Sequence, residues 1–145
     1  MIEEVAFNGA MLGLIVRKNF KREGIQFFTS GDFSQQLGYM NRPKGYVIDP
    51  HRHNHVERKV VLTQEVLFVK SGRVRVDFYT DAQEYLESRV LETGDVILLA
   101  AGGHGFEMLE PSELIEVKQG PYCGDMDKVR FEPVIPSSIK LTDNG

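Results

Sequence analysis

The chain has 145 residues and a mass of 16.4 kDa, with 41% hydrophobic and 26% charged residues, which is the ordinary composition of a single globular domain. This composition excludes a disordered chain and a collagen-like fibre, and apolar runs such as residues 96–101 are far shorter than the ~20 residues of a membrane-spanning helix. With 17 Lys and Arg against 21 Asp and Glu, the formal net charge is -4, so we expect neither a nucleic-acid partner nor a membrane partner.

The N-terminal residues and the number of cysteines indicate the cellular compartment of the protein. The N-terminal residues MIEEVAFNGA have no basic region before an apolar stretch, so we expect no secretory signal. The single cysteine, Cys123, has no partner for an intrachain disulfide, which suits a reducing compartment. We therefore expect a cytoplasmic protein.

The first third of the chain predicts short strands separated by turns. Asn8-Gly9 lies between two apolar stretches and predicts an N-terminal hairpin, because both residues tolerate the positive φ of a type I′ turn. Residues 24–28 form a short candidate strand, and residues 45–54 are expected to be extended, with Pro50 tolerable only at an edge or bulge. Residues 32–37 are one of two places where a helix of a turn or two is conceivable.

The middle of the chain carries the clearest strand pattern. In residues 65–80, EVLFVKSGRVRVDFYT, an apolar run is followed by a turn at Ser71-Gly72 and then by strict alternation of polar and apolar residues. Further short strands are expected around residues 89–91, 96–99, 103–109 and 114–118, while residues 82–86 are the second conceivable short helix. Many short strands with frequent turns predict an all-β sandwich or barrel.

Four histidines are the main candidates for chemistry. His51, His53 and His55 are spaced two apart in DPHRHNH, so in an extended chain they share one face, with neighbours roughly 7 Å apart. One adjacent pair can therefore bind one ion, with Glu65 and His104 as further ligands. Imidazole and carboxylate together suit one divalent transition metal such as Zn, Fe, Mn, Co or Ni. The alternative is that these histidines are ordinary surface or hydrogen-bonded groups.

The order and spacing of these residues resemble the two motifs of the cupin family. In the first motif Gly45 is followed by five residues and His51-Arg52-His53, and later Glu65 is followed by six residues and Gly72. The second motif is GDVILLAAGGHGFE, residues 94–107. The chain departs from the family in the eleven residues between His53 and Glu65, in Ala100 where a proline is usual, and in a shorter Gly102–His104 spacing. The long insertion leaves His55 or Glu57 as possible additional ligands.

The resemblance implies a fold and a ligand set. It implies a double-stranded β-helix, the cupin jelly-roll barrel, as one domain over residues 1–145 with its core motifs at 45–110, an N-terminal hairpin and a C-terminal arm. It also implies a metal held by His51, His53, Glu65 and His104. The QQLGY, GGHGFE and EVKQGPY stretches further resemble small stand-alone cupins encoded beside polysaccharide and nucleotide-sugar biosynthesis enzymes, which implies a sugar context.

Three functions remain open on this reasoning. The first is a metal-dependent enzyme, an isomerase or dioxygenase of the cupin type, acting on a small polar metabolite. The second is a metal-free isomerase or epimerase in which His51 or His53 moves protons and Tyr39 or Tyr46 acts as the acid. The third is a non-catalytic binding or sensing module. Strand parity from Glu65 and His104 adds Leu67, Phe106 and Met108 as candidate pocket residues.

The C-terminal arm, residues 129–141, is too apolar to remain in water. We expect it to pack on the barrel or on a second subunit. Because cupins similar to this chain commonly pair through barrel edges, we also expect a homodimer.

Overall fold

The computed structural model describes residues 1–143, whose regular structure is almost entirely β. The strands are β1 (Ile2–Phe7), β2 (Ala10–Val16), β3 (Gly24–Phe27), β4 (Gly38–Asn41), β5 (Glu65–Ser71), β6 (Arg73–Tyr79), β7 (Tyr85–Glu92), β8 (Val96–Leu99), β9 (Gly103–Met108) and β10 (Glu113–Lys118). Short 3-10 helices occur at Gly124–Asp127 and Pro136–Ser138, and no α-helix occurs among the described residues. The all-β prediction is confirmed.

Eight strands form two antiparallel sheets, while β3 and β4 pair as a separate hairpin. The larger sheet has the order β1-β2-β8-β5-β10, and the smaller has the order β7-β6-β9. From β5 onward the chain passes repeatedly between them: β5, β8 and β10 belong to the larger sheet, and β6, β7 and β9 to the smaller. Consecutive strands therefore cover both sides of one core.

The core lies between the two sheets. Its larger cluster joins side chains of β1, β2, β5 and β8 with side chains of β6 and β7. The fully buried members include Ile15, Val69, Val76, Leu91 and Ile97. Alternation along β5 and β6 places every second side chain in this core, because successive residues of a strand face opposite sides. Burial of these β-branched and aliphatic residues is what holds the two sheets together.

A smaller apolar cluster covers part of the outer face of the larger sheet. Leu14 of β2, Leu98 of β8 and the following Ala100 are buried there. Phe28, Phe33 and Leu37, from the loop between β3 and β4, pack against the cluster. These three side chains shield the outer face of β2 and β8 from solvent.

The turn predictions have different outcomes. The N-terminal hairpin is confirmed, because β1 pairs with β2 across Asn8 and Gly9, whose φ angles are 50° and 78°. Gly72, with a φ of 95°, does reverse the chain, but β5 and β6 enter different sheets. A Cβ at Gly72 would lie 2.2 Å from the Ser112 hydroxyl, so this corner accepts only glycine without a shift of its neighbours.

The two conceivable helices do not form. Residues 32–37 are turns and bends that carry the apolar cover, and residues 82–84 form the turn into β7, which begins at Tyr85. In residues 32–37, packing of Phe33 and Leu37 on the larger sheet outweighs the weak local preference for a helical turn. Residues 82–84 are exposed, and there the backbone hydrogen bonds between Thr80 and both Gln83 and Glu84 close a tight turn instead. No described helix is long and apolar enough to cross a membrane.

The segments expected to be extended or to form an arm are mostly irregular. Residues 42–64 contain no strand and are largely exposed, so the extended segment predicted at 45–54 does not join a sheet. The C-terminal arm does pack on the sheets: the ring centroids of Phe131 and Tyr79 are 5.0 Å apart, and Leu141 forms a parallel bridge with Ser88.

A buried ion network links the two sheets. Arg17, which directly follows β2, donates to both carboxylate oxygens of Glu3 at 2.7 and 3.0 Å, to Asp95 at 2.9 Å and to the Val90 carbonyl at 2.7 Å. Arg89 of β7 donates to Glu3 at 2.8 Å. The network therefore connects β1 and β2 with β7 and with the turn that precedes β8.

Glu3 makes the stability of this network dependent on pH. Burial acts to raise the pKa of Glu3, but the guanidinium groups of Arg17 and Arg89 outweigh it, so this pKa lies below the usual value of 4.5. Because the folded-state pKa is lowered, the ionised carboxylate contributes stability above about pH 4.5, and this stability is lost as the pH falls through the folded-state pKa. We expect the stability gap between wild type and Glu3→Gln, measured by urea unfolding, to narrow below that pH. Glu4→Gln, at the exposed neighbouring position, should show no such narrowing.

Candidate functional site

The first residue of β5, Glu65, lies where the core opens into a cleft. Its strand is hydrogen-bonded on both sides, so Glu65 pairs with Leu99 of β8 and with Lys118 of β10. Leu67 and Val69 are on the same face of β5 and are 6% and 0% exposed, within the core. Alternation therefore directs the Glu65 side chain to the inner side of the sheet, at its open end.

The second residue of β9, His104, faces Glu65 from the opposite sheet. It pairs with Phe78 of β6. The strand follows Gly102, whose φ is 70°, and a Cβ there would lie 2.5 Å from the Tyr79 carbonyl oxygen. This glycine allows the chain to enter β9 close to β6, which places the imidazole over the cleft.

The two side chains are in contact. The Nε2 atom of His104 lies 3.3 Å from Oε2 of Glu65, and the side chains are 30% and 13% exposed. The contact with His104 lowers the pKa of Glu65; burial opposes this effect, and the Lys118 ammonium adds to it. At neutral pH Glu65 is therefore a carboxylate, positioned to orient the imidazole.

The cleft beside this pair has a volume of about 720 Å³, which is within the usual range for small-molecule sites. Its wall is formed by residues of β5, β6, β9 and β10, by the residues just before β5, by the turn between β6 and β7 and by the chain at 127–133. The lining residues include Glu65, Tyr79, Thr80, Asp81, His104, Phe106, Glu116, Lys128, Arg130 and Phe131. The wall thus combines aromatic rings with groups of both charges.

Two contacts hold the chain after β10 over this cleft, one from the C-terminal arm and one from the 3-10 helix that precedes it. The Val134 backbone N–H donates to the Tyr79 hydroxyl at 2.9 Å, and the Thr63 hydroxyl donates to the Asp127 carboxylate. A Cβ at Gly103 would lie 2.8 Å from the Phe131 ring, so this ring occupies the space that a side chain at position 103 would fill. The arm is therefore a structural part of the cleft wall.

The other predicted ligands lie elsewhere. His51, His53, His55 and Glu57 are all exposed in the irregular residues 42–64. The ring centroids of His51 and His53 are 5.5 Å apart, and Nδ1 of His51 lies 2.9 Å from the Asp49 carbonyl oxygen. Within residues 1–143, no three His, Cys, Asp or Glu side chains are close enough to hold a metal ion together. The structure thus brings together Glu65 with His104, and separately His51 with His53.

The predicted pocket residues are dispersed. Phe106 lines the cleft, with its ring centroid 5.5 Å from that of His104, whereas Leu67 is in the core and Met108 is exposed. Tyr39 packs edge-on against Phe20, and the Arg42 guanidinium lies 4.5 Å from the ring centroid of the exposed Tyr46.

Sequence reasoning did not identify several residues of the cleft wall. Tyr79 and Thr80 end the alternating run of β6, and nothing in that run distinguishes a residue at the cleft from one in the core. Arg130 and Phe131 come from the C-terminal arm and Lys128 directly precedes it; the apolar content of the arm predicted that it packs but not where.

Comparisons with protein-family models, with curated proteins and with solved structures find no match to this chain.

Proposed function

We propose that the two sheets form a cupin-type double-stranded β-helix and that the cleft is its ligand site. The repeated passage of the chain between the sheets from β5 to β10 supports this proposal. So does the origin of the two facing side chains, since Glu65 and His104 come from the two segments that resemble the cupin motifs. The size of the cleft suits a small polar metabolite.

The chemistry we propose is proton transfer by His104, oriented by Glu65. The observation that carries it is the 3.3 Å contact between the two side chains at the cleft. When Nε2 of a neutral His104 donates to the Glu65 carboxylate, the other ring nitrogen is left with a lone pair that can accept a proton. A carboxylate-oriented imidazole of this kind is suited to general acid–base catalysis.

An acid–base pair beside a cleft of this size suits the isomerisation or epimerisation of a hydroxy-carbonyl compound, such as a sugar derivative. One proton is removed from a carbon beside the carbonyl, which leaves an enediolate. In isomerisation a proton is returned to the other carbon of the enediolate, and in epimerisation it is returned to the opposite face of the same carbon. The Tyr79 hydroxyl accepts its hydrogen bond from Val134, so its own hydrogen remains available for a ligand oxygen. We assign to Tyr79 the acid role that the sequence had suggested for Tyr39 or Tyr46.

A metal centre is the second candidate, supported by the fact that its four expected ligands occur as two preformed pairs. Glu65 and His104 have the right donor chemistry at the cleft, but two ligands from the chain are fewer than the usual three or four. His51 and His53 would complete the set if residues 42–64 carried them to the cleft. A divalent metal would then polarise a carbonyl or lower the pKa of a bound water.

One experiment separates these candidates. Protein stripped with a chelator is incubated in D2O with a panel of hydroxy-aldehydes, hydroxy-ketones and sugar derivatives, and deuterium incorporation is followed by NMR. We expect incorporation beside the carbonyl without added metal. Incorporation that appears only after Zn, Fe, Mn, Co or Ni is restored would support the metal centre instead.

Elemental analysis provides an independent measurement. A stoichiometric metal that is lost in both His51→Ala and His104→Ala would establish the four-ligand site, with His55→Ala and Glu57→Ala reporting whether those side chains take part. Tight ligand binding with no exchange over the whole panel would instead indicate the non-catalytic binding module.

A further inference from the structure

A small cavity adjoins the cleft and is formed mainly by the chain after β10. Its volume is about 100 Å³. Sites for whole metabolites begin at roughly 300 Å³, so this cavity can hold only one chemical group. It shares part of its wall with the cleft, namely Thr63, Asp127, Lys128 and Arg130, and residues 118–125 except Gly120 supply the rest. We call it the side cavity.

Three cationic side chains line the side cavity, namely those of Lys118, Lys128 and Arg130. None of the three forms an ion pair with an acidic side chain within residues 1–143. Two carboxylates, Asp125 and Asp127, also line the cavity, and Asp127 already accepts a hydrogen bond from the Thr63 hydroxyl. The cavity therefore has an excess of positive charge.

The neighbouring cleft has the opposite character. The carboxylates of Glu65, Asp81 and Glu116 line the cleft but not the side cavity, whereas Lys118 lines the side cavity but not the cleft. Opposite ends of one ligand would therefore meet different electrostatic environments, and a negatively charged end is favoured in the side cavity.

The backbone beside Lys118 is anchored. Lys118 ends β10, and the next residue, Gln119, donates its backbone N–H to the Gln64 carbonyl at 3.0 Å. The Gln119 side chain in turn accepts a hydrogen bond from the Gln35 amide at 2.9 Å. The position from which the Lys118 side chain extends is therefore fixed by both sheet pairing and side-chain contacts.

The backbone beside the other two cations is anchored as well. Lys128 directly follows Asp127, which contacts Thr63. Arg130 directly precedes Phe131, whose ring packs against β6 and β9. Because these anchors lie on either side of the two cations, little backbone ordering is left to oppose the binding of an anion between them.

We propose that the side cavity binds the phosphate group of a phosphate ester whose carbon chain lies in the cleft. A phosphate ester carries a charge of about −1.5 to −2 at neutral pH, which suits a group of three cations. A guanidinium can donate two parallel hydrogen bonds to phosphate oxygens, and an ammonium adds a compact charge. The cavity binds phosphate whatever the chemistry at Glu65 and His104, but the assignment of this ester as a substrate rests on the proposed function. That substrate is then a phosphorylated hydroxy-carbonyl compound.

Titration of the full-length chain with inorganic phosphate, followed through the backbone amide signals in NMR, tests the site. We expect saturable shifts at Thr63 and in residues 118–130. Lys128→Gln/Arg130→Gln should raise the dissociation constant about ten-fold or more, because it removes two charged donors.

Lys21→Gln/Arg22→Gln is the matched control for this titration. It removes the same charge from two exposed residues that line neither cavity, and should leave the dissociation constant within about two-fold of wild type. Shifts that do not saturate would overturn the proposal. Equal weakening by the two double variants would also overturn it, since net charge alone would then account for the binding.

A second titration distinguishes a phosphate ester from free phosphate as the occupant. Glyceraldehyde 3-phosphate, fructose 6-phosphate and glucose 6-phosphate are each compared with the parent sugar. We expect at least one ester to bind about ten-fold or more tightly than its parent and to shift the His104 signal, and Lys128→Gln/Arg130→Gln to abolish this preference. Esters that bind no better than their parents, or that leave His104 unperturbed, would contradict the ester assignment.

Deuterium exchange keeps this proposal separate from the proposed chemistry. Tight binding of an ester without exchange would count against proton transfer by His104 and leave the phosphate site standing. Exchange that occurs equally with the parent sugars and is unchanged in Lys128→Gln/Arg130→Gln would do the reverse.

Discussion

Replacing Arg17 with methionine is expected to lower the free energy of unfolding by about 3–5 kcal/mol at neutral pH, as for other buried ion pairs that lose one partner. Arg17 is the only group that touches both Glu3 and Asp95 in the described network, and those side chains are each 3% exposed. Methionine has similar volume but no donors. It therefore leaves two buried carboxylates with fewer hydrogen bonds, and the Val90 carbonyl loses its guanidinium donor.

The neighbouring residue supplies the control for this measurement. Lys18 forms an ion pair with Glu92 at 3.1 Å, but the two side chains are 57% and 54% exposed. Lys18→Met should therefore change the unfolding free energy by no more than about 1 kcal/mol in the same urea titration. Equal effects of the two substitutions would show that the network contributes no more than an ordinary surface ion pair.

Removing either member of the Glu65–His104 pair is expected to reduce the proposed proton transfer by about 10²- to 10⁴-fold. Glu65→Gln keeps the shape of the side chain but removes the charge that orients the imidazole, and His104→Gln removes the base itself. Both residues are at strand ends beside the cleft, so we expect both variants to fold. The rate is measured as deuterium incorporation into whichever compound of the panel exchanges with the wild-type protein.

His51→Gln and His53→Gln are the informative controls for this second prediction. If Glu65 and His104 alone transfer the proton, the His51→Gln and His53→Gln variants exchange deuterium at rates within a few-fold of wild type. Both histidines are exposed in the irregular residues 42–64. A loss as large as that of His104→Gln would instead place these imidazoles in the reaction, as the metal centre requires. Full activity in His104→Gln would contradict both mechanisms.

Strand patterns in this sequence are strongest where both sheet faces have a defined environment. Alternation in residues 73–78 predicted β6, and the same spacing placed Val74, Val76 and Phe78 on the buried face, as observed. The prediction of an extended segment at residues 45–54 did not yield a strand. Pro50 lies within these residues, Pro43 precedes them, and the charged residues 57–59 follow them. An extended stretch becomes a strand only if a neighbouring strand accepts its hydrogen bonds, and that partner is not a local property.

Of the candidate site, only the two residues that lie on regular strands, Glu65 and His104, were predictable from the sequence. Parity and the motif spacing singled out Glu65 and His104, although 38 residues separate them, and the sheets do bring them together. The motif spacing also singled out His51 and His53. Their position, however, depends on how the long irregular stretch of residues 42–64 packs. The contribution of Lys128, Arg130 and Phe131 depends on the course of the chain after β10, which no local pattern specifies.

By itself, the amino-acid sequence determined the all-β class, the N-terminal hairpin at Asn8-Gly9 and the inward face of β5 and β6, because turn preferences and two-residue periodicity are local. Only the tertiary structure decided that β5 and β6 enter different sheets, that Arg17 and Arg89 share Glu3, and that Glu65 meets His104 rather than His51 or His53. Those arrangements arise from contacts between residues far apart in the chain, whose energies depend on the whole packed core rather than on any short segment.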